Sequence, residues 1–124
     1  MLTETFFEVL KNEGVVSIVS WDAAEPHIVN TWNSYIVVTA DERLLIPAYA
    51  MRKTEKNINQ NNKIKIAVGS KQVVGYNDYQ GTGFIVEGTA KYIESGSEFD
   101  MMKEKFSFLT RVLEVSVTSA KQML

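Results

Sequence analysis

The chain has 124 residues, a formal net charge of −2 and no cysteine. This length predicts a single domain over residues 1–124, and the missing cysteines exclude disulfides, thiolate metal sites and cysteine nucleophiles. Lysine and arginine are scattered among acidic residues and form no basic patch, so we expect no nucleic-acid partner. A signal-peptide pattern and a bilayer-length apolar run are both missing, so we expect a cytoplasmic protein with no membrane attachment.

The first half of the chain predicts a helix, a strand, a two-armed hairpin and a second helix, over residues 3–13, 15–20, 27–54 and 52–61. The first helix has an apolar face and ends at Gly14. The strand after it is dense in β-branched residues and is followed by a turn that contains Pro26. The second helix has few apolar residues, so we expect it to lie on the surface as a connector.

The second half predicts two strands, a third helix and a final strand, over residues 63–68, 83–93, 95–109 and 111–118. The glycine- and tyrosine-rich segment 70–83 predicts a long turn or mobile loop, and Gly88 predicts a bulge. Strands and helices do not alternate strictly, which disfavours a parallel doubly wound sheet. The sequence therefore predicts a mainly β fold, in which six antiparallel strands form a small closed or split barrel with flanking helices.

The first arm of the hairpin is more polar than packing alone requires. Its centre, Asn30 to Tyr35, is a run of amide and hydroxyl groups broken by two aromatic residues. A buried polar group without a partner costs about 1–3 kcal/mol, so we expect a flat, polar ligand to contact this run. The alternative is that Trp32 is an ordinary tryptophan of the barrel core.

The second arm leads into a candidate anion site. Arg52, Lys53 and Thr54 lie at the predicted start of a helix, where free backbone N–H groups and the helix dipole favour negative charge. The alternative is a solvated helix start with no ligand. Together, the two arms predict a ligand that is part flat ring and part phosphate.

We assign no catalytic residue and no metal site. His27 is the only histidine and lies next to a proline, where a structural role is favoured over acid–base chemistry. With no second histidine and no cysteine, a transition-metal site is disfavoured. The acidic residues form no paired constellation in the sequence that would indicate hydrolysis.

These segments resemble a known family. The resemblance lies in residues 5–16 and 26–35, in Met51 and Lys53-Thr54, and in residues 81–84. They are similar to the small FMN-binding proteins of the pyridoxamine 5′-phosphate oxidase-like split-barrel superfamily. The resemblance implies a six-stranded antiparallel split barrel of Greek-key type. It also implies a homodimer with one non-covalent FMN per subunit near the dimer interface.

The resemblance implies which residues contact the cofactor. Four lie beside the flavin: Asn30, Thr31, Trp32 and Asn33. Four follow its ring and ribityl chain: Pro47, Ala48, Tyr49 and Ala50. Lys53 and Thr54 hold the phosphate, and Leu124 approaches the ring of the partner subunit's FMN. Three further residues lie near the flavin and tune it: Glu13, Tyr35 and Phe108. The chain departs from the family pattern at Tyr49-Ala50, where a glycine pair is typical, and at Phe108, where tryptophan is.

Two classes of function follow from the resemblance. FMN carries its own redox chemistry, so the protein would bind, orient and tune it, in electron transfer or as a flavin-dependent oxidoreductase. No cation is expected near the ring, which predicts a low reduction potential. The redox partner would be a protein or a nicotinamide donor, and without a Rossmann fingerprint a nicotinamide would have to stack on the flavin.

Two alternatives stay open. One is a cofactor-free split-barrel dimer with a structural or sensing role, which Tyr49 would produce by filling the place of the ring. The other is a pyridoxamine 5′-phosphate oxidase-like enzyme. The short chain and the lack of an arginine-rich second phosphate site disfavour that enzyme.

Overall fold

The computed structural model describes residues 1–124 and contains seven strands and three helices. In chain order they are α1 (Glu4–Lys11), β1 (Val15–Trp21), β2 (Pro26–Trp32), β3 (Val37–Val38), β4 (Arg43–Ala48), α2 (Arg52–Gln60), β5 (Lys63–Val74), β6 (Gln80–Ile93), α3 (Ser97–Lys105) and β7 (Arg111–Gln122). All strand pairs are antiparallel, in one sheet of order β2-β1-β5-β6-β7-β4-β3. The predicted mainly β fold with flanking helices is confirmed, with seven strands where the sequence indicated six.

The sheet must curl because its two edge strands are consecutive in the chain. β2 ends at Trp32 and β3 begins at Val37, so only a short turn separates opposite edges of the sheet. The long strands β5 and β6 bend where the pairing register shifts, one shift lying between Glu87 and Gly88. A Cβ on Gly88 would lie 2.3 Å from the carbonyl oxygen of Ser116, so only glycine fits this bulge. The predicted bulge is confirmed, and the fold is a split barrel.

The predicted hairpin over residues 27–54 is wrong in its first arm. β2 pairs with β1 along its whole length, and only the two residues of β3 pair with β4. The arm breaks at Asn33, whose buried side-chain amide bonds to carbonyl oxygens outside the hairpin and turns the chain. The polar run therefore ends one strand and opens a turn.

Three predicted elements in the second half of the chain also have wrong bounds. The expected loop over residues 70–83 is mostly strand, because β5 and β6 continue as a paired hairpin whose turn is confined to residues 75–79. The last strand runs to Gln122, since residues 119–122 pair with β6. Helix α3 ends at Lys105, earlier than the predicted 109.

The core has two parts on opposite faces of β4. Inside the barrel, β4 contributes Leu44 and Ile46 to a cluster of 16 buried residues that also includes Phe6 from α1. On the outer face, Leu45 packs under α3 in a second cluster with Met102, Leu109 and Val112. Burial on both faces explains why β4 shows no alternation in its sequence.

Helix α2 is more than the predicted surface connector. Thr54, Asn57 and Ile58 are buried, and Ile58 belongs to the barrel core. The side-chain amide of Asn57 donates to Ser20 Oγ over 3.1 Å, which fixes the helix to β1. The start of α2 is therefore held in place by the barrel. None of the helices is both long and apolar enough to cross a membrane.

Candidate functional site

A cavity of about 180 Å³ opens where the ends of β2 and β4 meet the segment that follows α3. Its lining residues are Asn30, Thr31, Trp32, Tyr35, Pro47, Tyr49, Met51 and Phe108. All of them except Met51 are residues that the resemblance places near the flavin. The structure thus brings together three segments that are far apart in the chain.

Aromatic side chains form much of the cavity wall. Trp32 is 46% exposed, so the alternative that it is an ordinary core tryptophan is wrong. The Tyr35 ring packs between Phe106 and Phe108, with centroid distances of 5.2 and 5.6 Å. Tyr49 is 65% exposed, which places its side chain at the rim, with the space beside it still open. The wall offers flat apolar surfaces to a planar ligand.

The turn between β4 and α2 has an unusual backbone. Ala50 and Met51 both have left-handed conformations, with φ of 57° and 52°. Such a conformation costs a residue with a side chain roughly 1–2 kcal/mol, and glycine adopts it freely. The strained turn overlaps Tyr49-Ala50, where the resemblance implies a glycine pair. Strain of this kind is commonly found at ligand sites.

The N-terminus of α2 lies beside the cavity and lacks a side-chain cap. Met51 precedes the helix and makes no capping bond, and the first internal bond runs from Glu55 N to Met51 O over 3.0 Å. The N–H groups of the first three helical residues therefore have no partner within the helix. Thr54 Oγ1 is buried and also lacks a hydrogen-bond partner. These donors and the helix dipole fit an anion.

The second residue predicted for the anion site, Lys53, already has a partner. Its Nζ lies 2.8 Å from the carboxylate of Asp22 in the turn between β1 and β2. The hydrogen bond from Lys53 is the main reason that the pKa of Asp22 lies well below its usual value, and backbone N–H groups of Glu25 and Ala24 add to the effect. An anion at α2 would share Lys53 with this carboxylate.

Asn33 does not line the cavity, although the resemblance places it beside the flavin. Its side chain is fully buried. The side-chain Nδ2 donates hydrogen bonds to the carbonyl oxygens of Val9, Asn12 and Gly69, at 3.1, 2.8 and 2.9 Å. These bonds tie the turn after β2 to α1 and β5. The structure gives the Asn33 side chain a structural role behind the site.

Glu13 supports the same turn from outside the cavity. Its carboxylate accepts hydrogen bonds from the backbone N–H and the hydroxyl of Ser34, at 3.2 and 2.7 Å. The hydroxyl bond is the largest cause that lowers the pKa of Glu13. Glu13 therefore stays ionised near the cavity residue Tyr35, although it does not line the cavity.

The remaining predicted residues lie around the site or away from it. Ala48 is buried behind Pro47, and Ala50 is exposed at the turn. Leu124 lies outside the cavity of its own chain, where its backbone oxygen accepts bonds from Tyr76 N and Thr82 Oγ1. A larger, open depression of about 460 Å³ at the β1–β2 turn contains none of the predicted residues.

Comparison with known proteins decides the family. The family model described as pyridoxamine 5′-phosphate oxidase matches residues 2–123. The chain belongs to this family. A protein described as "FMN-binding protein" from Nitratidesulfovibrio vulgaris (strain DSM 19637 / Miyazaki F) is 43% identical over 124 residues, which is 100% of both chains. The resemblance described from the sequence is thereby confirmed.

Solved structures share the fold of this pyridoxamine 5′-phosphate oxidase family member. HupZ from Group A Streptococcus superposes with a TM-score of 0.81 at 19% identity, covering 99% of this chain and 94% of HupZ. An FMN-binding protein from Syntrophomonas wolfei gives a TM-score of 0.71 at 17% identity, covering 88% of this chain and 76% of that one. Both comparisons confirm the split-barrel fold.

Sequence reasoning missed three residues at the site of this family member. Met51 lines the cavity and precedes α2, Asp22 pairs with Lys53, and Arg111 donates to the carbonyl oxygen of Ala50. Only Met51 carried a signal, because it belongs to the segments that resemble the family. The other two act through contacts between distant parts of the chain, and no local pattern indicates them.

Proposed function

We propose that this protein binds FMN non-covalently, with the flavin ring in the cavity and the phosphate at the N-terminus of α2. The observation that carries the proposal is that the cavity and the N-terminus of α2 adjoin. Met51 lines the cavity and also precedes the uncapped helix. An aromatic wall and an anion site so joined fit a ligand with a flat ring at one end and a phosphate at the other. The names of the relatives from N. vulgaris and S. wolfei support the same ligand.

The residues present fit this cofactor. Trp32 and Phe108 offer flat surfaces to the ring, and Asn30 and Thr31 offer neutral polar groups to its heteroatoms. The buried Thr54 Oγ1 would gain the partner that it lacks. The cavity is smaller than the roughly 300–1,000 Å³ of typical small-molecule sites, so part of the flavin would project from a single chain.

We further propose that the bound flavin serves electron transfer or a small oxidoreductase reaction, with a redox protein or a nicotinamide donor as partner. FMN supplies the redox chemistry when bound. The lining contains no lysine, arginine, histidine or carboxylate, so the chain provides neither a strong acid–base group nor a cation to stabilise an anionic reduced ring. This supports a low reduction potential. It also disfavours a substrate phosphate in the cavity, as pyridoxamine 5′-phosphate oxidase activity would require.

The cofactor proposal can be tested by tryptophan fluorescence, because the chain has two tryptophans in different places. Trp32 lines the cavity, whereas Trp21 lies at the far end of the β1–β2 hairpin. We expect FMN to quench Trp32 strongly in a Trp21→Phe variant, because a bound flavin ring contacts the indole. In the matched Trp32→Phe variant, quenching should be much weaker. Equal quenching in both variants, or none in either, would contradict the proposed position of the ring.

We also propose that the chain forms a homodimer through the outer face of β1 and β2. Val15, Ile28 and Trp32 are large apolar residues exposed on this face, and Ile28 is 60% exposed. The face continues into the rim of the cavity through Trp32. A second copy seated there would cover both the apolar face and the projecting flavin.

Sedimentation tests the dimer. The wild-type protein is expected at twice the chain mass of 14.0 kDa. Replacing Val15 and Ile28 by glutamate should give monomers, because two charges from each chain would be buried in the apolar interface. Gln60→Glu, at the exposed end of α2, adds the same kind of charge elsewhere and should leave the dimer intact. A wild-type monomer, or a dimer that survives both glutamates, would overturn this interface.

A further inference from the structure

A buried arginine lies directly behind the turn that joins the cavity to α2. Arg111, the first residue of β7, is only 3% exposed. Its Nη2 donates to the carbonyl oxygen of Ala50, and its Nη1 donates to Thr110 Oγ1 over 2.7 Å. Thr110 N in turn donates to the carbonyl oxygen of Ala48 over 2.9 Å. The start of β7 therefore holds the backbone on both sides of Tyr49.

The charges around Arg111 do not balance within the chain. Its Nε lies 3.3 Å from Oε1 of Glu55 without the geometry of a hydrogen bond, and the same oxygen lies 3.1 Å from Nη1 of Arg52. One carboxylate thus faces two guanidinium groups. Lys53 and Asp22 form a separate pair of opposite charges. The side chains of Arg52, Lys53 and Arg111 carry three positive charges against the two negative charges of Glu55 and Asp22, so the start of α2 has one net positive charge.

The neighbouring phenol does not supply the missing anion. The Arg111 guanidinium lies 5.2 Å from the centroid of the Tyr92 ring, and the Tyr92 hydroxyl has no hydrogen-bond partner. Burial is the main cause that raises the pKa of Tyr92 to about 12, so the phenol is neutral at physiological pH. The buried Arg111 shares its carboxylate partner, Glu55, with Arg52, whose side chain is 71% exposed, so an additional negative charge would be stabilised here.

We propose that Arg111 is a positioning residue for the phosphate of FMN. This proposal rests on the proposed function and deepens it. Arg111 is not among the residues that the resemblance places near the cofactor. Arg111 holds the strained turn at Ala50 in the conformation that presents the N-terminus of α2. Its charge also favours the dianionic phosphate, while Glu55 opposes it. The site should therefore prefer FMN to riboflavin, which lacks the phosphate, partly because of Arg111.

The test compares FMN and riboflavin binding in variants of Arg111 in the full chain. Arg111→Met removes the charge. We expect it to weaken FMN binding about tenfold more than riboflavin binding, because one partly screened charge interaction with the phosphate is lost. Arg111→Lys keeps the charge but cannot reproduce the forked donors of the guanidinium group. The affinities for FMN and riboflavin should therefore fall by the same factor. A purely structural role would instead weaken both flavins equally in both variants.

The pH dependence gives a second readout. The phosphate passes from monoanion to dianion near pH 6, so wild-type affinity for FMN should rise from about pH 5 to about pH 7.5. In Arg111→Met this rise should be smaller, because less positive charge meets the added negative charge. Riboflavin affinity should show no such step in either protein.

A second variant keeps the proposal testable if Arg111→Met does not fold. Glu55→Gln removes the opposing carboxylate and should increase the preference for FMN over riboflavin. Wild-type protein that binds neither flavin would overturn the proposed function and this inference with it. Wild-type protein that binds FMN, with an unchanged FMN-to-riboflavin ratio in Arg111→Met or in Glu55→Gln, would overturn only the role of Arg111.

Discussion

Replacing Lys53 and Thr54 together by alanine is expected to weaken FMN binding by about 100-fold and riboflavin binding far less. Hydrogen bonds to charged groups contribute roughly 1.5–3 kcal/mol each, and two of them correspond to at least about two powers of ten in affinity. Only FMN carries the phosphate that these side chains would contact. Titration of both flavins, followed by flavin fluorescence, measures the difference. Equal losses for FMN and riboflavin would mean that the anion site lies elsewhere.

Thr54→Val separates a ligand contact from a structural role at the same position. Thr54 Oγ1 is buried without a partner in the ligand-free protein, and valine has the same shape without the hydroxyl. We expect the free energy of unfolding of the ligand-free protein to rise by about 1–3 kcal/mol, because an unsatisfied polar group is removed. FMN affinity should fall in the same variant. A fall in both quantities would show that the hydroxyl has a structural partner.

Replacing Asn33 by alanine is expected to lower the free energy of unfolding by at least about 3 kcal/mol. Its amide donates to three carbonyl oxygens, which belong to α1, the segment after it and β5, and alanine would lose all three hydrogen bonds at a buried position. Urea denaturation measures the effect through the midpoint at constant slope. FMN binding should be impaired only as far as the turn at Tyr35 is disturbed.

Asn12→Ala is the matched control for Asn33→Ala. Asn12 donates one exposed hydrogen bond, to the carbonyl oxygen of Glu8 over 2.9 Å. Exposed bonds of this kind contribute about 1 kcal/mol or less. If the two variants lose the same stability, the buried amide of Asn33 does not hold the turn as described.

The fold was largely predictable because its signals are local. The strands β1 and β5 alternate buried and less buried residues, and Thr3 caps α1 by accepting a bond from Phe6 N. The break after β2 was not predictable. It depends on hydrogen bonds from Asn33 to carbonyl groups more than twenty residues away in the chain. The local pattern of apolar and polar residues does not indicate such contacts.

The candidate site was predictable in part. The polar run from Asn30 and the cationic start of α2 marked its two halves from residue chemistry alone, and the family resemblance added residues such as Pro47 and Phe108. Arg111 was not predictable. In the sequence it only begins a strand, and its importance comes from burial next to Glu55 and the carbonyl of Ala50.

The most direct test of the central claim is a crystal structure of the protein with FMN. We predict the flavin ring against Trp32 in the cavity, and the phosphate oxygens within hydrogen-bonding distance of the backbone N–H groups of residues 52–54 and of Thr54 Oγ1. An FMN phosphate bound away from the start of α2, or a cavity closed by Tyr49 with no flavin in it, would contradict the account.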